Sequence, residues 1–342
     1  MSETRRAAGE EALIQTYFAP LAAGLPGAHG LIDDCASLPP RPGEDLIVTT
    51  DAIAAGVHFF PDDAPGDIAW KALAVNVSDL AAKGAAPIGY LMALSFPEAP
   101  TRQWLTAFAS GLQDAQARFG CHLLGGDTDR RPGPLTISIT VIGSVPRGEM
   151  VRRGTAAANC VLLVSGTIGD AVLGLAIARE PALAAAWSLP PAEVDYLVAR
   201  YRRPEPRLAL APLLRRYAAA AMDLSDGLVK DAGRMLRASG LAGHLRAADV
   251  PLSEPARKVV AREPARLVGL LTGGDDYEVL AAVGGPPEHR AALRAAAAAA
   301  GVPLAEVGVV GPAEWPETGS GLLVEGTDGH PLAVGRAGWD HF

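Results

Sequence analysis

The order of apolar and polar residues changes from a strand-like to a helical period within residues 46–84. An apolar run at 46–48 predicts a short strand that ends where Thr49, Thr50 and Asp51 follow. After a Pro/Asp/Gly turn, apolar residues return at helical spacing and predict the buried face of a helix with Asp67 as its N-cap. The residues of this face are Trp70, Leu73, Val77 and Leu80.

A polar line runs beside that apolar face, because Asn76, Asp79 and Lys83 follow one another at spacings of three and four. Gly84 is expected to end the helix. A carboxylate at a strand end and one on the next helix can converge on a cation when a tight connection joins the two elements. We therefore expect Asp51 and Asp79 to lie close together.

Alternating strands and helices are predicted along the rest of the chain. In the first half, a helix at 11–25 precedes a strand at 90–96, a helix at 103–119 and a strand at 135–145. The second half is expected to contain a strand at 161–164, helices ending near Glu180 and starting near Leu228, and an Ala-rich helix at 291–300. A Pro-Arg-Gly turn interrupts the pattern near 146–153, so the predicted domains are residues 1–148 and 149–342.

The composition favours a mixed α/β class, because aromatic residues are only 5% while Ala and Gly abound. A net charge of −8, from 38 acidic and 30 basic residues, argues against a nucleic-acid partner. Cys35, Cys121 and Cys160 lie far apart, which argues against a disulfide framework or a zinc ribbon and fits a reduced cytosol. A polar N-terminus and the lack of a membrane-length apolar run predict a cytoplasmic protein without a membrane partner.

Aspartates recur beside glycines, hydroxyl residues or apolar runs, where an unpaired charge is costly to desolvate. Five of them form a candidate set: Asp34, Asp51, Asp79, Asp127 and Asp223. Each of these aspartates, taken alone, is most often a solvated cap. Asp34 is adjacent to Asp33, and at most one of the two is expected to be a direct ligand. Several carboxylates can share a cleft only if cations offset their repulsion, and carboxylate and hydroxyl oxygens suit Mg²⁺, which commonly arrives with phosphates.

Glycine-rich turns accompany several of these aspartates. Asp127 is expected at a second strand end, directly after Gly125 and Gly126, which let the backbone approach a ligand and offer N–H groups to an anion. The turn at 166–170 has the pattern of an anion-binding strand-loop-helix connection. In the stretch 222–227, Ser225 or Asp226 can cap the helix that follows.

Other residues have two interpretations each. His58 lies among apolar residues and is more often packed than catalytic; Arg153 is a phosphate clamp or a surface charge; Trp339 is a core anchor or a stacking platform. Lys71 and Lys83 have the simpler interpretation of solvated charges. The sequence contains no P-loop, Gly-x-Gly-x-x-Gly, Gly-x-Ser-x-Gly or His-Glu-x-x-His motif, so a phosphate enzyme here must use aspartates and metal.

Seven motifs in register resemble those of the thiamine-monophosphate kinase family, which lies within the aminoimidazole-ribonucleotide synthetase-like superfamily. The motifs are Asp33-Asp34-Cys35-Ala36, Thr49-Thr50-Asp51 with Gly56-Val57-His58-Phe59, the run at 71–82, Gly125-Gly126-Asp127-Thr128, the run at 223–228, the run at 273–278 and Gly338-Trp339-Asp340-His341-Phe342. The resemblance implies two α/β domains, with N-terminal sheets that pair in a homodimer. It also implies transfer of the γ-phosphoryl group of ATP to thiamine monophosphate.

The resemblance further implies roles for individual residues. Several Mg²⁺ ions would be held by Asp34, Thr49, Thr50, Asp51, Asp79, Asp127, Asp223 and Asp226. ATP would contact Gly126, Asp127, Arg153 and Ser225, and the thiamine substrate would contact His58, Asp275 and Trp339. No catalytic side chain is expected, because an ionised phosphate acceptor needs no strong base and metal-assisted direct transfer suffices.

The chain departs from the family pattern at three places. Ile32 stands where Gly is common, Asp275 where Glu is usual, and Asn159-Cys160 where Gly-Asp is usual. A selenophosphate synthetase is a weaker alternative, because that family resembles a chain with a reactive Cys or selenocysteine and a Lys near the N-terminus. Here the first Cys is Cys35 and the first Lys is Lys71. Aminoimidazole-ribonucleotide synthetase itself and a non-catalytic nucleotide-binding protein are the remaining alternatives.

Overall fold

A computed structural model describes residues 10–33, 35–314, 321–335 and 337–339, which fold into two compact units. The first unit contains residues up to Leu80 together with Ala85–Gly148, and the second contains Ala81–Gly84 and the chain from Glu149 onward. Asp34 lies outside the described residues.

The first unit has a four-stranded sheet in the order β1-β4-β2-β3. Its strands are β1 (Glu44–Ala54), β2 (Ala86–Phe96), β3 (His122–Arg130) and β4 (Thr136–Pro146). Its helices are α1 (Glu10–Leu13), α2 (Pro65–Ala82) and α3 (Arg102–Phe119). β4 pairs antiparallel with β1 and β2, while β3 pairs parallel with β2 after the α3 crossover.

The buried face of α2 is the predicted one, and Trp70, Leu73, Val77 and Leu80 are all at most 7% exposed. The predicted N-cap is wrong, because α2 begins at Pro65, two residues before Asp67. Proline fits a first helical turn, since its fixed φ is helical and its missing N–H would have no partner there. Gly84 ends the helix with φ +74°.

Two strand ends were predicted too early. β1 continues through Asp51 to Ala54, because β4 pairs with it along its whole length from Glu44 opposite Pro146 to Ala54 opposite Thr136. Likewise, Asp127 lies inside β3 rather than at its end. Polar side chains do not stop a strand when the neighbouring strand supplies backbone partners.

The predicted helix at 11–25 is replaced by short turns. α1 is followed by a π-helical turn at Ile14–Phe18 and 3₁₀ turns at Ala19–Ala22 and Pro26–Leu31. Pro20 accounts for the change, because proline has no N–H for the α-helical hydrogen bond and its ring clashes with the preceding turn.

One face of the first sheet packs on helices and the other is open. Ile137, Ile139 and Val141 of β4 are fully buried on the helix side, as their alternation predicted. On the other side, Leu46 and Val48 of β1 are 55% and 60% exposed. The open face therefore exposes apolar side chains along β1.

The second unit has a six-stranded mixed sheet in the order β10-β7-β9-β5-β8-β6. Its strands are β5 (Val161–Ser165), β6 (Ala220–Asp223), β7 (Ala242–Arg246), β8 (Val279–Val283), β9 (Leu304–Gly311) and β10 (Leu322–Glu325). Its helices are α4 (Asp170–Arg179), α5 (Ala182–Ala186), α6 (Pro191–Arg202), α7 (Ala211–Tyr217), α8 (Leu228–Ala238), α9 (Glu254–Arg262), α10 (Arg266–Thr272) and α11 (Pro287–Ala299). β10 pairs parallel with β7, and the other pairs are antiparallel.

Apolar cores lie on both faces of this second sheet. Leu162 and Val164 of β5 enter one core, which α8 covers with Met235, whereas Leu163 enters another core with Leu293 of α11. Consecutive β5 residues alternate between the two cores because successive side chains of a strand point to opposite faces. The predicted mixed α/β class is confirmed.

Candidate functional site

β1 and α2 bring part of the predicted metal set together. The Thr49 hydroxyl donates a hydrogen bond to Asp79 Oδ2 over 2.7 Å, and the Asp51 N–H donates to Asn76 Oδ1 over 2.9 Å. Asn76 is fully buried, and its amide group also donates to the Ala72 carbonyl. The strand and the helix thus join Thr49 to Asp79, and the Asp51 backbone to Asn76, which lies three residues before Asp79 on α2.

Thr50 lies on the other face of the sheet. Its hydroxyl donates to the Ile139 carbonyl over 3.1 Å and accepts from Thr140 Oγ1 over 3.0 Å. The pleat of β1 therefore divides three consecutive candidate ligands between two faces.

Asp127 shares the open face with Thr50 according to the strand register. Thr50 is opposite Thr140, which is opposite Leu91, which in turn is opposite Gly125, and Asp127 follows two residues later on β3. Asp127 Oδ1 accepts the N–H of Thr128 over 2.8 Å. Within the first unit, the register thus separates Asp127 from the helix side, where Asp79 lies.

A cavity of about 580 Å³ adjoins this strand, and both Asp33 and Asp127 line it. Gly125 and Gly126 contribute bare backbone to its wall. A Cβ on Gly126 would stand 1.8 Å from the Met92 carbonyl oxygen, so close approach to β2 requires glycine here whatever binds.

His58 is oriented by the end of β1. Its Nδ1 accepts the N–H of Ala54 over 3.1 Å, so the neutral ring carries its proton on Nε2. Its carbonyl accepts a hydrogen bond from Lys71 Nζ over 2.9 Å. Lys71 is 2% exposed, which contradicts the expectation that it is solvated.

In the second unit, two predicted motifs lie side by side. The pairing of β6 with β8 continues beyond Asp223, because the Tyr277 N–H donates to the Leu224 carbonyl over 2.8 Å and the Asp275 N–H to the Ser225 carbonyl over 2.9 Å. These bonds bring Asp223, Ser225 and Asp275 into one double loop. Tyr277 Oη also donates to Asp275 Oδ1 over 3.3 Å.

The expected capping of α8 by Ser225 or Asp226 is wrong. The N-cap is Gly227 at φ +113°, and Asp231 inside the helix instead accepts the N–H groups of Ser225 and Asp226 over 3.1 and 2.9 Å. Burial raises the pKa of Asp231 to about 6, and the nearby Asp226 charge acts in the same direction. The Asp226 N–H and Arg234 oppose the rise.

Asp226 is held by two cations and adjoins Trp339. Its Oδ2 lies 3.3 Å from Lys230 Nζ and 2.5 Å from an Arg234 nitrogen. Its carbonyl accepts the N–H of Trp339 over 3.1 Å. Trp339 is 46% exposed, which excludes the core-anchor interpretation.

The predicted anion-binding turn at 166–170 already contacts an acidic residue of this chain. The Gly169 N–H, at the start of α4, donates to both carboxylate oxygens of Asp276 over 3.0 and 2.9 Å. Burial raises the pKa of Asp276 well above its ordinary range, against the opposing effects of this N–H and of Arg200.

Sequence reasoning missed a buried ionic cluster around Glu278. Arg200 and Arg207 both contact its carboxylate, and Ser165 Oγ donates to it over 2.5 Å. Glu278 belongs to a quoted motif, but nothing in the sequence linked it to arginines 71 and 78 residues away. Arg153 is exposed, and its carbonyl accepts a hydrogen bond from Ser239.

Two of the three departures from the family pattern lie in unusual backbone. Asn159 has φ +68° and Asp275 has φ +73°, the left-handed region that Asn and Asp tolerate better than most residues. Ile32 is 80% exposed.

Within residues 10–33, 35–314, 321–335 and 337–339, no three His, Cys, Asp or Glu side chains are grouped closely enough to hold a metal ion. The nearest approach to the predicted set is the Thr49, Asp51 and Asp79 group, whose carboxylate and hydroxyl oxygens are the donors that Mg²⁺ prefers. No helix in the described part of the chain is both long and apolar enough to cross a bilayer.

Two family models match this architecture, one for each half of the chain. The model described as AIR synthase related protein, N-terminal domain, matches residues 32–145, and the corresponding C-terminal domain matches residues 157–315. The fold and these matches define the chain as an AIR synthase related protein.

Relatives narrow the assignment within this class. Thiamine-monophosphate kinase from Caulobacter vibrioides is 41% identical, over 94% of this chain and 88% of its own length. The crystal structure of thiamine-monophosphate kinase from Stenotrophomonas maltophilia K279a has a TM-score of 0.79 at 37% identity, covering 93% of this chain and 98% of that one. AaThiL complexed with AMPPCP and TMP has a TM-score of 0.73 at 30% identity, covering 98% and 97%. The chain belongs to the thiamine-monophosphate kinase family.

Proposed function

We propose that this chain transfers the γ-phosphoryl group of ATP directly to the phosphate of thiamine monophosphate, giving thiamine diphosphate and ADP. The observation that carries the proposal is the similarity of this chain to AaThiL complexed with AMPPCP and TMP, which covers 98% of this chain and 97% of that one. AMPPCP stands in for ATP, because the methylene group between its β and γ phosphorus atoms prevents transfer of the γ-phosphoryl group. Thr49, Asp51 and Asp79 also support the proposal, because their hydroxyl and carboxylate oxygens suit Mg²⁺.

Magnesium is the cofactor of this proposal. In the first unit, Thr49, Asp51 and Asp79 would hold one ion on the helix side of the sheet, and Thr50 and Asp127 are proposed as oxygen donors for another ion on the open face. In the second unit, Asp223 and Asp226 are the proposed donors, and Asp34 belongs to the set by family resemblance alone. Bound Mg²⁺ would neutralise the charge of the phosphates, whose mutual repulsion is the main obstacle to the reaction.

The nucleotide contacts are proposed at backbone and cationic groups. Gly126 offers backbone beside Asp127 in the first unit, while Ser225 and Arg153 of the second unit offer a hydroxyl and an exposed guanidinium. Arginine suits this role because its planar fork matches phosphate oxygens.

The thiamine contacts are proposed at His58, Asp275 and Trp339. The half-exposed Trp339 ring can stack on a cationic heteroaromatic ring, and the Asp275 carboxylate favours the same positive charge. No general base is assigned, because a phosphate monoester has a second pKa of about 6 and is largely ionised at neutral pH. Transfer therefore needs no covalent enzyme intermediate.

A homodimer paired through the N-terminal sheets belongs to the proposal. The open face of the first sheet exposes Leu46, Val48 and Leu91 by 55%, 60% and 41%, and an apolar sheet face of this kind is typical of an interface. A cytoplasmic location is proposed as well, which the free thiols of Cys35, Cys121 and Cys160 support.

A Mg²⁺-dependent assay for thiamine diphosphate tests the function. Purified protein is incubated with ATP and thiamine monophosphate. A parallel reaction contains ATP and the substrate of aminoimidazole-ribonucleotide synthetase instead. Thiamine diphosphate formation that requires both ATP and Mg²⁺ supports the proposal. Binding of ATP without any product would favour a non-catalytic nucleotide-binding protein, and product only from the parallel substrate would favour the related synthetase.

A further inference from the structure

The backbone around Asp275 is held in an unfavourable conformation. Asp275 has φ +73° and Tyr277 has φ +49°, so two residues with side chains occupy the left-handed region within three positions. Such residues persist only where the surrounding structure fixes them, and they cluster at functional sites.

Glu278 provides the anchor next to this segment. Its carboxylate is fully buried, and Oε1 lies 2.9 Å from Arg200 Nη2 while Oε2 accepts from Arg207 Nε over 2.7 Å. A second Arg207 nitrogen contacts Oε1, so Arg207 binds the carboxylate with both arms of its guanidinium. Ser165 Oγ donates to Oε2 and itself accepts the Val279 N–H over 2.8 Å.

Arg200 also holds the residue between Asp275 and Tyr277. Its Nη2 donates to the Asp276 carbonyl over 3.1 Å, while the Asp276 carboxylate accepts the Gly169 N–H. Both sides of the strained segment are therefore tied to buried groups of the same unit. A buried ion pair adds little stability compared with apolar packing, which makes stabilisation alone a weak reason for this cluster.

We propose that Arg200 and Arg207 are positioning residues for substrate recognition, acting through Glu278 to fix the direction of Asp275. The inference rests on the proposed function and deepens it. Asp275 faces the thiamine moiety in that function, and its N–H bond to Ser225 joins it to the adjacent loop. Neither arginine contacts substrate in this scheme.

Arg207→Lys is the decisive variant, because lysine keeps the positive charge but cannot make the two-armed contact. We expect the KM for thiamine monophosphate to rise about tenfold or more, while the KM for ATP changes by less than about threefold. Arg294→Lys is the matched control, since Arg294 pairs with Glu306 over 3.4 Å at the surface of the same unit. Leu293→Ala, a buried change in α11, controls for loss of stability alone, and neither control should alter the KM ratio.

Ser165→Ala supplies a second, milder test if Arg207→Lys does not fold. It removes one hydrogen-bond donor to Glu278 and should raise the KM for thiamine monophosphate by a smaller factor than Arg207→Lys does. Calorimetric titration of each folded variant with thiamine monophosphate gives its Kd without turnover, so the inference can be judged even if the wild-type chain forms no product. A folded Arg207→Lys protein with unchanged KM and Kd for thiamine monophosphate would overturn the inference and leave the proposed function intact.

Discussion

The hydroxyl of Thr49 on β1 donates to the carboxylate of Asp79 on α2 over 2.7 Å. This bond joins two of the proposed metal ligands directly and fixes the rotamers of both side chains. It also allows a substitution that removes charge while keeping the contact, because the Oδ1 of asparagine can still accept the hydrogen bond.

Asp79→Asn should therefore lower kcat by on the order of 100-fold or more while leaving the fold intact, because the carboxylate charge that would hold magnesium is lost. Turnover is measured at saturating ATP and Mg²⁺, and circular dichroism checks the fold. Asp114→Asn, an exposed aspartate on α3, is the control and should retain full activity. Near-normal turnover of the Asp79 variant would remove Asp79 from the metal set.

Gly126→Ala should destabilise the protein by about 1–3 kcal/mol, because the added Cβ would stand 1.8 Å from the Met92 carbonyl oxygen and β2 and β3 would have to separate. Gly125→Ala is the matched control, since its Cβ would be an ordinary 3.6 Å from a Leu91 methyl group. Urea denaturation of the two variants measures the difference. Equal stabilities would show that close strand approach does not explain the second glycine.

Asp231 predicts a specific pH dependence of stability. Its pKa is about 6 in the folded protein against an ordinary 3.8, so the folded state binds the proton more tightly. The stabilisation from that proton is present below pH 4 and is lost as the pH rises through 6, amounting to on the order of 3 kcal/mol. The groups that face this carboxylate are Asp226 and Arg234 together with the N–H of Ser225.

Asp231→Asn removes this titration, so its free energy of unfolding relative to wild type should increase between pH 4 and 7. Denaturant unfolding at several pH values measures the trend, with Asp195→Asn on the exposed side of α6 as the control. A constant difference across that range would contradict the assignment.

Val48→Arg tests the proposed dimer. Val48 is 60% exposed on the open sheet face, and a charge there would have to be buried in a paired interface at considerable cost. We expect sedimentation to show a shift from dimer to monomer. Met150→Arg, another exposed apolar position but outside that sheet, should leave the assembly unchanged.

Sequence patterns predicted those features of the candidate site that depend on the periodicity of a single helix or strand. The helical spacing of α2 placed Asp79 on the polar line beside its buried face, whereas Asp275 as a thiamine contact and Ser225 as an ATP contact were implied only by the family resemblance. The end of β1 was predicted wrongly, because pairing with β4 sets its length and the residues of β1 carry no signal of that pairing. Polar side chains at Thr49 to Asp51 looked like a strand end for the same reason.

Long-range ionic contacts lay beyond sequence reasoning. Arg200 and Arg207 are separated from Glu278 by 78 and 71 residues, and an arginine in a helix or loop usually lies at the surface. The hydrogen bonds that hold the 223–228 loop were also missed, because their acceptor is Asp231 inside α8, which accepts the N–H groups of Ser225 and Asp226. In both cases the residue that organises the loop lies outside the motif itself.

Trp339→Ala should raise the KM for thiamine monophosphate about tenfold with little change in the KM for ATP, because a half-exposed indole can stack on the cationic thiazolium ring and alanine cannot. The Trp339 N–H bond to the Asp226 carbonyl is a backbone contact, so the substitution leaves the attachment of this segment in place. Trp339→Phe keeps an aromatic face and should retain most of the affinity, which separates stacking from simple loss of volume. Steady-state kinetics with each substrate varied in turn measures both constants. An equal rise in the two KM values, or an equal loss in the Ala and Phe variants, would contradict a stacking role for Trp339.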